Sequence, residues 1–217
     1  MQTVGFFLAY NAVIMDDIKA EGERLNALLA ELAQEIGTAL KGKAKDKLSQ
    51  PERRMYVRAT FATIEAWIYV MKQIALRSHP DPNCRTISEA ERAFAQEHEY
   101  KLTDSGDVEI RRTKISLEAN LRFGFKLLAK AGSVPPELDV SGTEWQSFKR
   151  AIKIRDRITH PKGLSDLNIA DEDFNDVTAG FGWVLISYTK LFTAIVLKAK
   201  SEAEDNSHPD ITNPSTT

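Results

Sequence analysis

Apolar residues recur at spacings of three and four along most of this chain, the period that sets one side of an α-helix against a core. From Asp16 or Asp17 to about Leu40, the positions Ile18, Leu25, Leu28, Leu29, Leu32 and Ile36 share one side, and Gly37 with the Lys41–Lys47 run marks the end. Pro51 at a first helical position predicts a second helix ending near Ser78. Its apolar residues, among them Phe61, Ile64, Trp67, Ile68 and Met71, wrap most of the circumference, so it belongs at the centre of a bundle. The run His79-Pro80-Asp81-Pro82-Asn83 then breaks the chain. A charged helix is expected from Ser88 to about Tyr100, with Glu91 completing a capping-box spacing, followed by a turn at Asp104-Ser105-Gly106-Asp107 and the chain's one short strand possibility near 106–112. Helix resumes from about Lys114 to Ala131, where Gly132 supplies a stop. Ser141-Gly142-Thr143-Glu144 repeats the capping-box spacing ahead of a helix to about Thr159, and His160 is held at its terminus because Pro161 follows. A last long helix opens near Asp171 and fades around Ala203, with Phe174, Val177, Phe181, Val184, Tyr188, Leu191, Phe192 and Ile195 on one face. The expected fold is all-α: a bundle of about five or six helices in a single domain, 1–203, then a polar, disordered tail over 204–217.

Length and composition agree with a folded domain, since 217 residues with 42% apolar and 28% charged side chains can bury a core and solvate a surface. The apolar run Val4–Met15 has no Lys or Arg before it and no small-residue cleavage pattern after it, so it reads as a packed first element rather than a secretory signal. Lys190 and the three-and-four spacing make Val177–Leu197 a soluble helix, and no membrane span is expected. Cys84 stands alone, which removes intrachain disulfides and four-thiolate zinc sites and fits a cytoplasmic location. His79 and His208 have no partner at metal-ligand spacing, and neither a metal nor a cofactor is expected.

Charge changes the picture at one place. The chain carries a net charge of −2, which argues against non-specific coating of nucleic acid, yet residues 146–162 alone carry +5. Lys149, Arg150, Lys153, Arg155, Arg157 and Lys162 stand there against a single acid, Asp156. Such a cluster suits a phosphate backbone, and equally it is the basic C-terminal half of a helix, with Asp166, Asp171, Glu172 and Asp173 following to neutralise it. Lys153, Arg157 and Lys162 are the candidate nucleic-acid contacts. Asp156 and His160 are four apart, which on a helical last turn would put carboxylate beside imidazole. Arg155 is long enough to reach the same edge. Together these residue types could cleave RNA without a metal: the 2′-hydroxyl attacks the adjacent phosphate, the imidazole moves protons and the guanidinium steadies the phosphorane charge.

Arg155-Asp156 with His160-Pro161, at the end of a penultimate helix, resembles the signature of the HEPN superfamily, an arginine followed after four to six residues by a histidine. The similarity is sharpest over 145–163, from Trp145-Gln146-Ser147-Phe148 through the Pro161-Lys162-Gly163 turn, and reaches in architecture over about 50–200. Arg58 and Ile64-Glu65-Ala66 on the central helix resemble the Arg and Glu often found there in this class. The commonest family form has Asn where this chain has Asp156. Arg92 and His98 meet the same spacing, but Ala93 follows the arginine where the family prefers a polar residue, and the pair is expected to lie within one helix. The resemblance implies a metal-independent endoribonuclease of a toxin–antitoxin or phage-defence system, with Arg155 and His160 catalytic and Asp156, Arg58 and Glu65 in support. It implies a homodimer in which two motifs share one cleft, RNA as substrate, and an antitoxin or defence-system partner. Other readings stay open: a non-catalytic HEPN-like partner-binding or regulatory module, a purely structural ion pair for Arg58 and Glu65, and, from the broader associations of the family it resembles rather than from any loop in this chain, a nucleotide-binding cleft.

Overall fold

A computed structural model describes residues 23–24, 27–28, 30–40, 42–79 and 86–207. The expected first element Val4–Met15, the start of the first helix, Cys84 and residues 208–217 of the expected tail lie outside the described residues. The fold is all-α, with one small two-stranded sheet. Residues 30–40 form α1, followed by α2 (Gln50–Ser78), α3 (Glu89–Ala95), β1 (His98–Leu102), β2 (Val108–Arg112), α4 (Leu117–Ala131), α5 (Thr143–Thr159) and the long α6 (Asp171–Ser207).

α2 is the axis of the bundle, as its all-round apolar pattern predicts: α4 packs along it, and α3, α5 and α6 meet it as well. Its start is set by Pro51 in the first turn and by a capping box in which the Glu52 carboxylate accepts from the Ser49 N–H at 2.9 Å and the Ser49 hydroxyl at 2.8 Å. Val57, Phe61, Ile64, Ile68, Met71 and Ala75 line its buried side. The closest partnership is α5 with α6. There Gly180 lets the helices touch, since a Cβ at that position would sit 2.8 Å from the Phe148 Cα. Trp145, Phe148 and Trp183 form a tilted aromatic cluster with ring centroids 5.3–5.7 Å apart at this contact.

α6 keeps most of its expected inner face: Phe174, Val177, Val184 and Leu191 are buried, and Phe181, Tyr188 and Ile195 are half-buried against the core, whereas Phe192 is exposed. Leu185, Ile186, Val196 and Leu197 are exposed too. By length and composition alone α6 is long and apolar enough to cross a membrane. The helix runs to Ser207, past the expected boundary at 204.

The region after Ser88 departs from expectation. The Ser88–Glu91 capping box is present, but α3 stops at Ala95 instead of continuing to Tyr100. Glu97 takes a left-handed φ of 61°, and an antiparallel hairpin begins at His98. The cause is tertiary. Lys72, fully buried on α2, donates from Nζ to Glu97 at 2.9 Å and to Asn120 of α4 at 3.3 Å, so the chain is turned at the point where a buried ammonium needs its carboxylate. Within the hairpin, Tyr100 opposes Ile110 and Leu102 opposes Val108 on one face, while Glu99–Arg111 and Lys101–Glu109 occupy the other. Both strands are exposed throughout. The Ser141–Glu144 capping box does not form either: Gly142 caps α5, and Ser141 instead donates its N–H and hydroxyl to Asp139 at 2.8 and 2.6 Å.

Candidate functional site

α5 ends where the sequence predicts. Its final turn is closed by three different donors: the Thr159 hydroxyl on the Arg155 carbonyl at 2.7 Å, the His160 N–H on the Asp156 carbonyl at 3.0 Å, and the Arg58 guanidinium on the Ile158 carbonyl at 3.2 Å. Arg58 thus acts as a cationic cap on the negative end of the helix. His160 leaves helical geometry at φ −124°, ψ 59°, as a residue before proline must. The loop beyond it is clamped to the head of α2. Gln50 exchanges two hydrogen bonds with Ile169, at 3.0 and 2.8 Å, Arg53 donates to the Ile169 carbonyl at 3.0 Å, and Arg54 to the Leu167 carbonyl at 2.8 Å. His160 is therefore presented on a fixed loop, with its side chain exposed and its ring making no hydrogen bond or ion pair among the described residues.

Arg155 lies against α2. Its Nη2 pairs with Glu65, its Nη1 donates to Asp156 at 3.0 Å, and its guanidinium carbon lies 5.8 Å from the Phe61 ring centroid. Phe61 is a site residue that sequence reading places only in the core; its i,i+4 relation to Glu65 on α2 was the available signal. Arg58 and Glu65 do not pair with each other and are not buried. Each instead reaches α5, one turn apart at its C-terminal end. The structure thus brings the supporting residues Arg58, Glu65 and Asp156 to the contact of α2 with the end of α5, Glu65 and Asp156 on Arg155 itself and Arg58 on the Ile158 carbonyl.

Two expectations are corrected here. The Asp156 carboxylate is paired with Arg155 rather than with His160, although the i,i+4 backbone bond between 156 and 160 is present; His160 itself has left helical φ and ψ. The basic cluster is also divided. Arg155 and Arg157 are about 200° apart around α5, so Arg157 faces α6, where it donates to the Asn168 carbonyl at 2.9 Å and to Asp173 at 2.8 Å. Arg150, seven residues earlier, pairs there with Asp176 at 2.7 Å, and its guanidinium holds the Asp176 carboxyl below its usual range. Lys153 lines this second groove of about 260 Å³ with Arg150 and Arg157. Lys162 is exposed beyond the helix, its backbone N–H on Asp166 at 2.7 Å. The structure does not gather Lys153 and Arg157 with Arg155. Of the acids that follow, Asp173 pairs with Arg157 as the local reading allowed, Asp171 pairs instead with Arg53 of α2, and Arg150 is met by the later Asp176.

The competing pair, Arg92 and His98, is set apart for a different reason than expected. It does not lie in one helix: Arg92 on α3 donates to the His79 carbonyl at 2.6 Å, and His98 opens β1. Among the described residues, no group of three or more His, Cys, Asp or Glu side chains is placed to hold a metal ion. The class defined by the fold is an all-helical bundle with an arginine–histidine pair at the end of its penultimate helix. Comparison with known proteins adds no family to that description, since no family model, curated protein or solved structure matches the chain.

Proposed function

We propose that this chain is a metal-independent endoribonuclease of the HEPN type, with Arg155 and His160 as its catalytic pair. The observation that carries the reading is the exposed His160 imidazole, without a partner among the described residues, on a clamped loop one turn beyond an arginine resting on Glu65 and Phe61. In a two-fold dimer one His160 takes the proton of the 2′-hydroxyl as its oxygen attacks phosphorus. The bond from phosphorus to the 5′-oxygen breaks, and the second His160 protonates that leaving oxygen. The products are a 2′,3′-cyclic phosphate and a 5′-hydroxyl. Arg155 would exchange Glu65 for the phosphate. Because the Glu65 side chain is 46% exposed, that ion pair is worth only about 0–1 kcal/mol and is readily replaced. Such an enzyme belongs in the cytoplasm, restrained by an antitoxin or defence-system partner.

A second reading is favoured by one observation. Glu65 and Asp156 together outweigh the single Arg155 charge, and Asp156 stands where it would repel a phosphate. On that reading the chain is a non-catalytic partner-binding module. The test is incubation of wild type, His160→Ala and Arg155→Ala with RNA in excess chelator, each first shown to be folded by circular dichroism. Wild type is expected to leave cyclic phosphate ends, and each variant to cleave at least about 100-fold more slowly. Equal cleavage by all three removes both residues from the chemistry; no cleavage by wild type favours the binding module.

A further inference from the structure

Arg58 has a second surface that the α5 terminus does not use. Beside it, α1 and α2 enclose an open cavity of about 480 Å³. Met55, Ala59 and Ala62 of α2 contribute apolar lining, and Glu31, Glu35 and Arg58 contribute charge. That volume lies within the range of small-ligand sites, roughly 300–1,000 Å³. The two carboxylates form no hydrogen bond or ion pair among the described residues, and the only one Arg58 forms is with the Ile158 carbonyl. Opposite charges thus line one cavity without neutralising each other, beside a helix end two residues short of His160.

We propose that this cavity is the base-recognition subsite of the cleft and that it takes guanine, an inference that rests on the ribonuclease reading. Two carboxylates exclude the phosphate itself, which stays with Arg155 and His160, and leave the base as the part of RNA that enters. A carboxylate seeks adjacent donors, and a guanidinium seeks acceptors. Guanine offers both: N1–H and N2–H side by side for a glutamate, and O6 and N7 for Arg58. Uracil presents a single N–H between two carbonyl oxygens that a carboxylate repels. Adenine and cytosine offer one amino group each. The Met55 thioether and the two alanines supply a surface on which a flat ring can lie.

The experiment separates base binding from cleavage. His160→Ala protein is titrated by calorimetry with GMP, AMP, CMP and UMP, then the same protein carrying Glu31→Gln and Glu35→Gln. GMP is expected to bind at least about ten-fold more tightly than UMP, and the double substitution to bring the two within about two-fold. Ala62→Trp, which fills the cavity, is expected to abolish binding of all four. Equal binding of the four nucleotides, or of none, overturns the inference. In parallel, the cut ends left by wild type are mapped on RNA of mixed sequence. Cutting without regard to guanine overturns the subsite while the ribonuclease reading stands. Guanine preference in binding, with no RNA cut, keeps the base site and removes the ribonuclease reading.

Discussion

Glu52 stands at the head of α2, and its carboxylate accepts from Lys43 Nζ at 2.8 Å on one oxygen and from the Ser49 N–H and hydroxyl on the other. The Lys43 hydrogen bond, followed by those from Ser49, pulls its pKa from 4.5 down to about 2. A depressed carboxylate stabilises the fold fully above its unfolded pKa, because between the two values the unfolded chain binds more protons. That contribution is lost as pH falls from about 4.5 to about 2. Glu52→Gln is therefore expected to lower thermal stability at pH 6, with the difference from wild type shrinking towards pH 2. Melting curves across that range check it; a constant difference would mean that packing, not charge, is what Glu52 supplies. At this scale the sequence was partly legible. Ser88 and Glu91 cap as their spacing says, and Ser49 and Glu52 carry the same spacing. Ser141 and Glu144 fail because Asp139, two residues back, is the nearer acceptor for Ser141. Spacing names a possible partner, and competition between partners decides which one is taken.

The contact between α5 and α6 fixes the position of the helix that ends in His160. Gly180 and Gly182 are two residues apart on α6, yet they face different surroundings. A methyl at 180 would meet the Phe148 backbone at 2.8 and 3.1 Å, whereas at 182 nothing lies within 4 Å. Gly180→Ala is expected to cost about 1–3 kcal/mol by forcing the helices apart. Gly182→Ala should instead add about 0.5–1 kcal/mol, since alanine loses less backbone freedom on helix formation. Denaturant unfolding of both variants checks the pair of signs. Some helix boundaries were readable, the start of α2 at Pro51 and the end of α5 before Pro161, because proline acts through its own backbone. Gly132 shows the limit of that reading: its φ is an ordinary −82°, the left-handed residue is Ser133, and a methyl at 132 would run into Ile195 at 2.6 Å. Which residue faces which partner was not readable. Arg155 and Arg157 look equivalent in a basic run, and only the packing of α5 between α2 and α6 separates them.

Across the whole molecule, pairings distant in sequence decide what local pattern leaves open. Arg150 with Asp176 and Arg157 with Asp173 set part of the local excess of positive charge against acids of α6, and Arg53 of α2 takes Asp171 there. The hairpin was legible only in its second half: a short strand was possible near 106–112, where Val108–Arg112 is found, but its partner His98–Leu102 was not read as a strand. The segment from Glu89 to Tyr100 reads locally as continuous helix, and its interruption depends on Lys72, 25 residues before Glu97. Tyr100, Leu102, Val108 and Ile110 remain 61–68% exposed, so among the described residues no part of the core lies under the strands. A two-stranded sheet without a packed face is marginal in water. It follows that the molecule opens in two independent steps rather than one. Backbone amides of 98–112 should exchange with deuterium through a local opening that denaturant barely accelerates, while those of α2 and α4 exchange only through global unfolding. Lys72→Met keeps the buried volume but frees Glu97, and is expected to quicken exchange in the hairpin far more than in α4. Equal quickening in both would tie the hairpin to the bundle as one cooperative body. Otherwise the chain carries a segment that opens and closes many times within the lifetime of a single folded bundle.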